Sequence, residues 1–224
     1  AAVPPHKARY GEACDYLERE IRKLGVDIHL NAAVTEVELD SRKPDAVILA
    51  TGSVPFVPPI QGLSGGGAVL VDDVLEGRAP VGRRVAIIGG GAIGAETAHL
   101  LVEEEDREVY LIEMRDGIAV DLPQDARICL LHAFEQTPSL HQITNAKVTA
   151  VTPESITLER QGQTEVVDRL DTIILAVGAR PNQGLRPALE ALGIPFLVSG
   201  DATGPKDYVK AIYEGFVAGN TIAE

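Results

Sequence analysis

The chain has few of the residues that mark secreted, metal-binding or membrane proteins. Its 224 residues include only two cysteines, Cys14 and Cys129, which are too far apart in sequence to form a CxxC or zinc-type pair. Neither a metal site nor a redox dithiol is therefore predicted, and a reducing, cytoplasmic setting is the default expectation. No apolar run is long enough to cross a bilayer, and the first residues lack the basic-then-apolar pattern of a signal peptide.

Positive charge is also scarce. Lysine and arginine number 20 against 33 aspartates and glutamates, so the net charge is −13. A field of this sign repels nucleic acid and anionic lipid, and no basic stripe offsets it. Hydrophobic residues make up 45% of the chain, which is typical of a packed globular protein. We therefore expect neither nucleic acid nor a membrane as a partner.

Hydrophobic periodicity predicts an α/β protein. A continuous apolar run at 46–50 indicates a buried parallel strand. Three short strands at 147–152, 155–160 and 165–167, with turn residues between them, predict an antiparallel meander. The other predicted strands are 26–30, 34–39, 85–88, 109–113, 172–177 and 196–199, and the predicted helices are 9–24, 92–104, 124–134 and a final one that contains Val209.

The segment between strand 85–88 and helix 92–104 has the spacing of a dinucleotide-binding loop. The pattern G-x-G-x-x-G alone is a weak signal, but a strand before it and a helix after it are the context that such a loop requires. The helix N-terminus presents free N–H groups and the positive end of the helix dipole to phosphates. We predict that a nicotinamide dinucleotide binds here, the alternative being a turn that only allows tight packing. The loop is Gly89-Gly90-Gly91-Ala92-Ile93-Gly94.

Acidic residues complete this unit. Glu113 lies 19 residues after Gly94, at the end of the next predicted strand, where a carboxylate accepts hydrogen bonds from ribose hydroxyls. Such a carboxylate repels a 2′-phosphate and favours NADH over NADPH, although the nearby Arg115 could offset the repulsion. Met114 and Arg115 are part of the predicted site.

Glu96, in the first turn of the helix, could line the nicotinamide side of the pocket or only cap the helix, and the residues alone leave both interpretations open.

The chain also looks nested. A middle block, 68–182, interrupts an outer block made of 1–67 and 183–224. The glycine-rich run 64–67 follows no strand and opens no helix, so a flexible connector is preferred to a phosphate loop. Two buried strands end in similar motifs, which are Ala50-Thr51-Gly52 and Ala176-Val177-Gly178.

The order of these motifs resembles that of the two-dinucleotide-domain flavoproteins of the pyridine nucleotide–disulfide oxidoreductase type, in which an NAD(P)H domain is inserted within an FAD domain. Within that superfamily the chain is similar to the C-terminal module of the 2,4-dienoyl-CoA reductase, enoate reductase and trimethylamine dehydrogenase family, the old yellow enzyme-like NADH:flavin oxidoreductases. The resemblance implies a Rossmann-like NAD(P)-binding domain with an antiparallel β-meander, 68–182, inserted in a truncated FAD-binding α/β domain. The segments that carry it are Pro4-Pro5-His6-Lys7, Leu24-Gly25-Val26, 45–55 with its motif Ala50-Thr51-Gly52, 85–113, 177–182, Ser199-Gly200-Asp201 and 211–215.

The resemblance also implies roles for single residues. Thr51 and Gly52 would pass close to FAD, and Asp201 would contact its ribityl or pyrophosphate region. Glu96 would lie near the contact between nicotinamide and flavin. No catalytic residue is implied, since the cofactors carry the chemistry and the protein positions them. The other positions that the resemblance places at the cofactors are Val177, Gly178, Gly200 and Val209.

The sequence departs from the family in one respect. The family's FAD domain opens with its own strand–GxGxxG–helix unit, and this sequence holds no second motif of that kind. We therefore expect a fragment, beginning without Met, that binds FAD weakly or not at all and is inactive alone. The intact protein would bind FAD and carry an N-terminal barrel with FMN and an iron–sulfur cluster. The alternative function is a non-catalytic dinucleotide-binding regulatory module; a single-domain dehydrogenase is disfavoured because no histidine stands out as catalytic.

Overall fold

The computed structural model describes residues 3–5, 7–103, 107–205 and 207–222, so His6 and Glu104, which enter the sequence predictions, lie outside the described residues. The chain divides into two units. The first comprises Ala1–Gly25 and Val57–Val177, and the second Val26–Phe56 and Gly178–Glu224. The predicted division into 68–182 and an outer block concerns which cofactor each block binds, and it stays a prediction.

Helices and strands alternate over residues 69–143 and 179–221, and a run of consecutive strands lies between these two stretches. The helices are α1 Arg9–Lys23, α2 Glu36–Arg42, α3 Val71–Leu75, α4 Ala92–Glu103, α5 Gln124–Glu135, α6 Arg186–Leu192 and α7 Tyr208–Thr221. The strands are β1 Val47–Leu49, β2 Ser53–Pro55, β3 Val69–Leu70, β4 Arg84–Ile88, β5 Glu108–Ile112, β6 Leu140–Ile143, β7 Ala146–Thr152, β8 Ser155–Arg160, β9 Gln163–Val167, β10 Thr172–Leu175, β11 Ala179–Pro181 and β12 Phe196–Val198.

A five-stranded parallel sheet forms the centre of the first unit, in the order β3-β10-β4-β5-β6. Successive side chains of β4 and β5 point to opposite faces, and both faces are buried. Ile87 and Leu111 pack with α4 and α5 on one face. Ala86 and Ile112 pack on the other face with the antiparallel meander β7-β8-β9. Burial on both faces explains the near-continuous apolar runs of these parallel strands.

Two small sheets lie in the second unit. Strand β1 pairs with β12 in parallel, and β2 pairs with β11 antiparallel. Both strands of the parallel pair were expected from the sequence, whereas neither strand of the antiparallel pair was. Each strand of the antiparallel pair ends in a proline and lacks the apolar run that marks β1 and β12, so its residues are typical of a turn and not of a strand.

Two predicted strands in the second unit are wrong. The segment 34–39 enters helix α2, because Thr35 and Glu38 form a capping box in which each side chain meets the other residue's backbone N–H. The Thr-x-x-Glu spacing is itself a signal for the start of a helix, and it prevails over the apolar residues that favour a strand in this segment. The segment 26–30 contains no strand.

A polar cluster stands at the start of the central strands. Oε1 of Glu108 accepts a hydrogen bond from the Tyr110 hydroxyl at 2.7 Å and lies 3.0 Å from Nε2 of His141. Oε2 of Glu108 accepts a hydrogen bond from the guanidinium of Arg84. The Tyr110 hydrogen bond holds the pKa of Glu108 below its ordinary value; partial burial opposes this, and the His141 hydrogen bond and the charge of Arg84 reinforce it. Glu108 therefore stabilises the folded state in its ionised form.

We expect Glu108→Gln to lower the thermal midpoint at pH 7, and the difference from wild type to shrink as the pH falls below about 4. A carboxyl whose pKa is lowered by folding contributes stability above its unfolded-state pKa, and that contribution is lost as the pH falls through the folded-state value. Thermal unfolding followed by circular dichroism between pH 3 and 8 measures this difference. Glu165→Gln, at an exposed position of β9, is the control, and the same pH dependence in both variants would contradict the prediction.

Candidate dinucleotide-binding site

The predicted strand–turn–helix order is present around the glycine loop. Gly89 follows β4 with a φ of 107°, a conformation that favours glycine. Its N–H donates to the carbonyl of Ile112 at 2.8 Å. A Cβ atom at Gly89 would lie 2.4 Å from the carbonyl oxygen of Ala176, and one at Gly94 would lie 1.9 Å from the carbonyl oxygen of Gly89. The turn and the first turn of α4 are therefore packed too closely for a side chain at either position.

The two middle glycines have different surroundings. A Cβ atom at Gly90 would meet side-chain atoms of Ile118 and Glu113 at 2.7 and 2.8 Å, so this residue is covered. At Gly91 the three nearest heavy atoms all belong to the carboxyl group of Asp121, at 3.2 to 3.7 Å. The carboxyl group of Asp121 therefore faces Gly91 at the start of α4, and the dinucleotide contact expected of Gly91 stays a prediction.

Glu113 is buried at the end of β5, with 6% of its surface exposed. Its Oε2 accepts a hydrogen bond from the N–H of Gly90 at 2.7 Å, and its Oε1 accepts from the N–H and Nε of Arg115 at 2.9 and 3.1 Å. Burial is the largest influence on the pKa of Glu113 and raises it, but the two backbone N–H groups and the Arg115 guanidinium together hold the pKa below its ordinary value. The carboxylate is therefore ionised at neutral pH.

The remaining predicted positions of the first unit surround this turn. The N–H of Ala92 is the first donor of α4, and Ile93 exposes half of its surface on the first helical turn. Met114 follows β5 with 66% of its surface exposed. Val177 follows β10 and ends the first unit. The dinucleotide contacts predicted for these residues stay predictions.

Glu96 has a partner that the sequence analysis missed. Its carboxylate, on the first turns of α4, forms an ion pair with the ammonium group of Lys7. The side chain of Glu96 is 14% exposed and that of Lys7 30% exposed, so the pair is largely shielded from water. Lys7 belongs to a segment that was noted only for its resemblance, and no local pattern linked it to a residue 89 positions away.

We expect Lys7→Met to destabilise the protein by about 1 kcal/mol, because it leaves the shielded carboxylate of Glu96 without its counterion. In the double variant Lys7→Met/Glu96→Gln, most of this loss should be recovered, since no unpaired charge remains. Urea unfolding of the two single variants and the double variant gives the coupling free energy. Additive effects of the two substitutions would show that the pair does not couple.

The motifs of the second unit are joined to one another. The Thr51 hydroxyl donates to the carbonyl of Asn182, and the N–H of Asn182 donates to the carbonyl of Gly52 at 2.9 Å. The carbonyl of Gly178 accepts from the N–H of Phe56 at 3.0 Å. Gly52 and Gly178 have positive φ angles of 69° and 97°. The structure therefore brings the Thr51-Gly52 motif and the segment after Gly178 together along the antiparallel pair β2–β11.

The last predicted motif lies between β12 and α7. Gly200, with a φ of 65°, and Asp201 form a short 3₁₀ turn whose final carbonyl, at Ala202, accepts from Nε2 of Gln183 at 2.6 Å. Val209 stands in the first turn of α7 with 74% of its surface exposed. The N-terminus of α7 is capped by Asp207, whose side chain accepts from the N–H of Lys210 at 2.8 Å. The FAD contacts implied for Gly200, Asp201 and Val209 stay predictions.

Two absences hold for the described residues. Among them, no group of three or more His, Cys, Asp or Glu side chains could hold a metal ion. In the same residues, no helix has both the length and the apolar character needed to cross a membrane.

Sequence comparisons relate the chain to known oxidoreductases. Residues 40–203 match the family described as Pyridine nucleotide-disulphide oxidoreductase. Bilirubin reductase of Mediterraneibacter gnavus is 35% identical over 223 residues, which cover 99% of this chain and 34% of the relative. NADH oxidase of Thermoanaerobacter brockii is 31% identical over 222 residues, which cover 96% of this chain and 34% of the relative. The chain thus spans about a third of the length of these relatives.

Solved structures show the same fold. 2-Naphthoyl-CoA reductase superposes with a TM-score of 0.89 at 24% identity, over 97% of this chain and 33% of that chain. Histamine dehydrogenase from Rhizobium sp. 4-9 superposes with a TM-score of 0.77 at 15% identity, over 95% of this chain and 36% of that chain. The predicted fold class, a Rossmann-like α/β fold that combines a parallel sheet with antiparallel strands, is confirmed.

Proposed function

Because the chain belongs to the pyridine nucleotide-disulphide oxidoreductase family, as its motifs predicted, we propose that it is the NAD(P)H-binding electron-input module of a flavin-dependent oxidoreductase. The observation that carries this proposal is the glycine turn 89–94, which sets the start of α4 beside the ionised carboxylate of Glu113. The names of two relatives, a bilirubin reductase and an NADH oxidase, are those of reductive or NADH-consuming enzymes.

The residues around the turn fit a dinucleotide. The pyrophosphate would lie at Gly91 and the first N–H groups of α4, where the helix dipole favours an anion. A carboxylate has about four acceptor positions. In Glu113 three of them accept the hydrogen bonds from Gly90 and Arg115, so one remains. The free position is on Oε2, which meets only the N–H of Gly90 among these donors. Glu113 would therefore accept one hydrogen bond from the adenosine ribose.

The same arrangement supports a preference for NADH over NADPH. A 2′-phosphate would approach the ionised carboxylate of Glu113, which repels it. The guanidinium of Arg115 is close but already hydrogen-bonded to Glu113, 3.1 Å from Oε1. The positive charge of Arg115 is therefore largely balanced by the carboxylate of Glu113 and attracts a 2′-phosphate less. NADH is the ligand that we propose.

FAD fits the described residues only in part. Three glycines with positive φ angles, Gly52, Gly178 and Gly200, allow a close backbone approach. In the described part of the second unit, no G-x-G-x-x-G loop joins a strand to a helix as a cradle for the FAD phosphates. In the intact protein FAD would accept the hydride from NADH, and we propose that this chain contributes the binding and orientation of the donor. We further propose that an N-terminal FMN and iron–sulfur barrel domain is its partner there.

The first test is NADH binding by the chain itself. Calorimetry should give one NADH per chain. Gly91→Val should abolish binding, because the added side chain would stand beside the first N–H groups of α4, where the pyrophosphate is proposed to lie. The substitution should not strain the backbone, since Gly91 has no positive φ angle. Gly219→Ala in α7, where a Cβ atom meets nothing within 4 Å, is the control and should bind as wild type does. No binding by the wild-type chain would refute the proposal.

The regulatory alternative predicts the same binding without redox chemistry. It is separated from the proposal in the intact protein, supplied with FAD and an artificial electron acceptor. Oxidation of NADH that depends on the acceptor supports the electron-input module. Binding without oxidation would favour the regulatory module.

We expect Glu113→Gln to weaken NADH binding about tenfold, because a charged acceptor for the ribose is lost. The variant should lose less affinity for NADPH, since the repulsion of the 2′-phosphate is removed and Arg115 is released from its ion pair. Calorimetry with both nucleotides measures the ratio of the two dissociation constants, and thermal unfolding checks that the variant is folded. An unchanged ratio would rule out the ribose assignment of Glu113.

A further inference from the structure

The start of α4 already holds an anion that belongs to the chain. Oδ1 of Asp121 accepts a hydrogen bond from the N–H of Ala92 at 2.8 Å. The same carboxyl group supplies the three heavy atoms nearest to the Cβ position of Gly91. An N-cap residue directly precedes its helix, whereas Asp121 lies 29 positions beyond Ala92 and reaches it from another segment. The carboxylate therefore stands at the position that the proposed function assigns to pyrophosphate.

The segment that carries Asp121 is fixed to the glycine turn. The N–H of Ala119 donates to the carbonyl of Gly90 at 2.7 Å, and Ala119 is fully buried with a φ of 52°. Nε of Arg127, in α5, donates to the carbonyl of Ile118 at 2.8 Å. These two hydrogen bonds hold the backbone just before Asp121 against the loop, while Asp121 itself is exposed. Its side chain can therefore leave the helix start by rotation, without moving the anchored backbone.

We propose that Asp121 is an internal competitor for the pyrophosphate subsite, which a dinucleotide must displace in order to bind; this inference rests on the proposed function. Two anions cannot share the same N–H group and the same helix dipole, because each is attracted to the site and repelled by the other. The chain is stabilised by Asp121 when the site is empty, and this stabilisation is lost when the ligand binds. Asp121 thereby lowers the affinity of the site for ligands that carry a pyrophosphate. It does not change the affinity for ligands that have no phosphate.

The test is Asp121→Asn, which keeps an acceptor for the N–H of Ala92 and removes the charge. Calorimetry should show that NADH and ADP-ribose bind about three- to tenfold more tightly than to wild type. Adenosine, which has no phosphate, should bind with unchanged affinity. Thermal unfolding of the unliganded variant should show an unchanged or lower midpoint, because a favourable charge at the helix N-terminus is gone.

The matched control is Asp116→Asn, which removes the same charge from an exposed position five residues earlier and should change the affinity for NADH less than twofold. Asp121→Ser, which shortens the side chain, should repeat the tighter binding if the asparagine variant folds poorly. Unchanged or weaker NADH binding in folded Asp121 variants would overturn the inference, as would an equal gain in Asp116→Asn. A wild-type chain that binds no NADH would instead refute the proposed function, so the two failures are distinguishable.

Discussion

The close contact between the first turn of α4 and the carbonyl of Gly89 is the constraint on which the proposed site depends. A Cβ atom at Gly94 would lie 1.9 Å from that oxygen, and one at Gly89 would lie 2.4 Å from the carbonyl of Ala176. The turn is thus held between α4 and the segment after β10. Because neither contact can relax around a side chain, the first N–H groups of α4 stay at the C-terminal edge of the parallel sheet, where open α/β sheets place their ligands.

Glu113 adds a second tie to this arrangement. Its carboxylate accepts hydrogen bonds from the N–H of Gly90, in the glycine turn, and from the N–H of Arg115, in the loop after β5. These bonds connect the end of β5 to the glycine turn. A buried carboxylate is costly unless donors surround it, and here three donors offset the cost and keep the pKa low. The same ionised group can accept a ribose hydroxyl. Under the proposed function, structural and binding roles would coincide in this one side chain. The effect of a Glu113 substitution on binding is therefore separated from its effect on stability by the ratio of the dissociation constants for NADH and NADPH.

The sequence predicted the parts of the fold that depend on local pattern. The strand, turn and helix around 85–94 follow from apolar periodicity and glycine spacing, and the meander follows from short strands separated by turn residues. Helix α2 was not predicted, although Thr35 and Glu38 have the spacing of a capping box, because the apolar residues within 34–39 favour a short strand when they are considered without the cap. Strand β2 and helix α6 were not predicted, because both are short and contain a proline, and neither has the continuous apolar run by which the equally short strands β1 and β12 are recognised.

The side-chain partners in the site were not predictable in the same way. Glu96 meets Lys7, and Ala92 meets Asp121, across separations of 89 and 29 residues. Contacts of this kind are made by the tertiary fold, and a single sequence contains no local signal for them. The partner of the α4 N-terminus could be expected to be a carboxylate, since a helix start attracts negative charge. The chain has 33 acidic residues against 20 basic ones, however, so many carboxylates were candidates.

That excess of negative charge bears on how an anionic dinucleotide could be bound at all. Two cations near the turn are already engaged, Lys7 with Glu96 and Arg115 with Glu113. The attraction for a pyrophosphate must then come chiefly from backbone N–H groups and the helix dipole, which have fixed positions and need no side-chain ordering. Such a site would select its ligand by the positions of these N–H groups and would have little positive charge with which to attract an anion. At such a site the single carboxylate of Asp121 would be enough to shift the affinity, whereas the same carboxylate would matter little in a pocket lined with unpaired arginines.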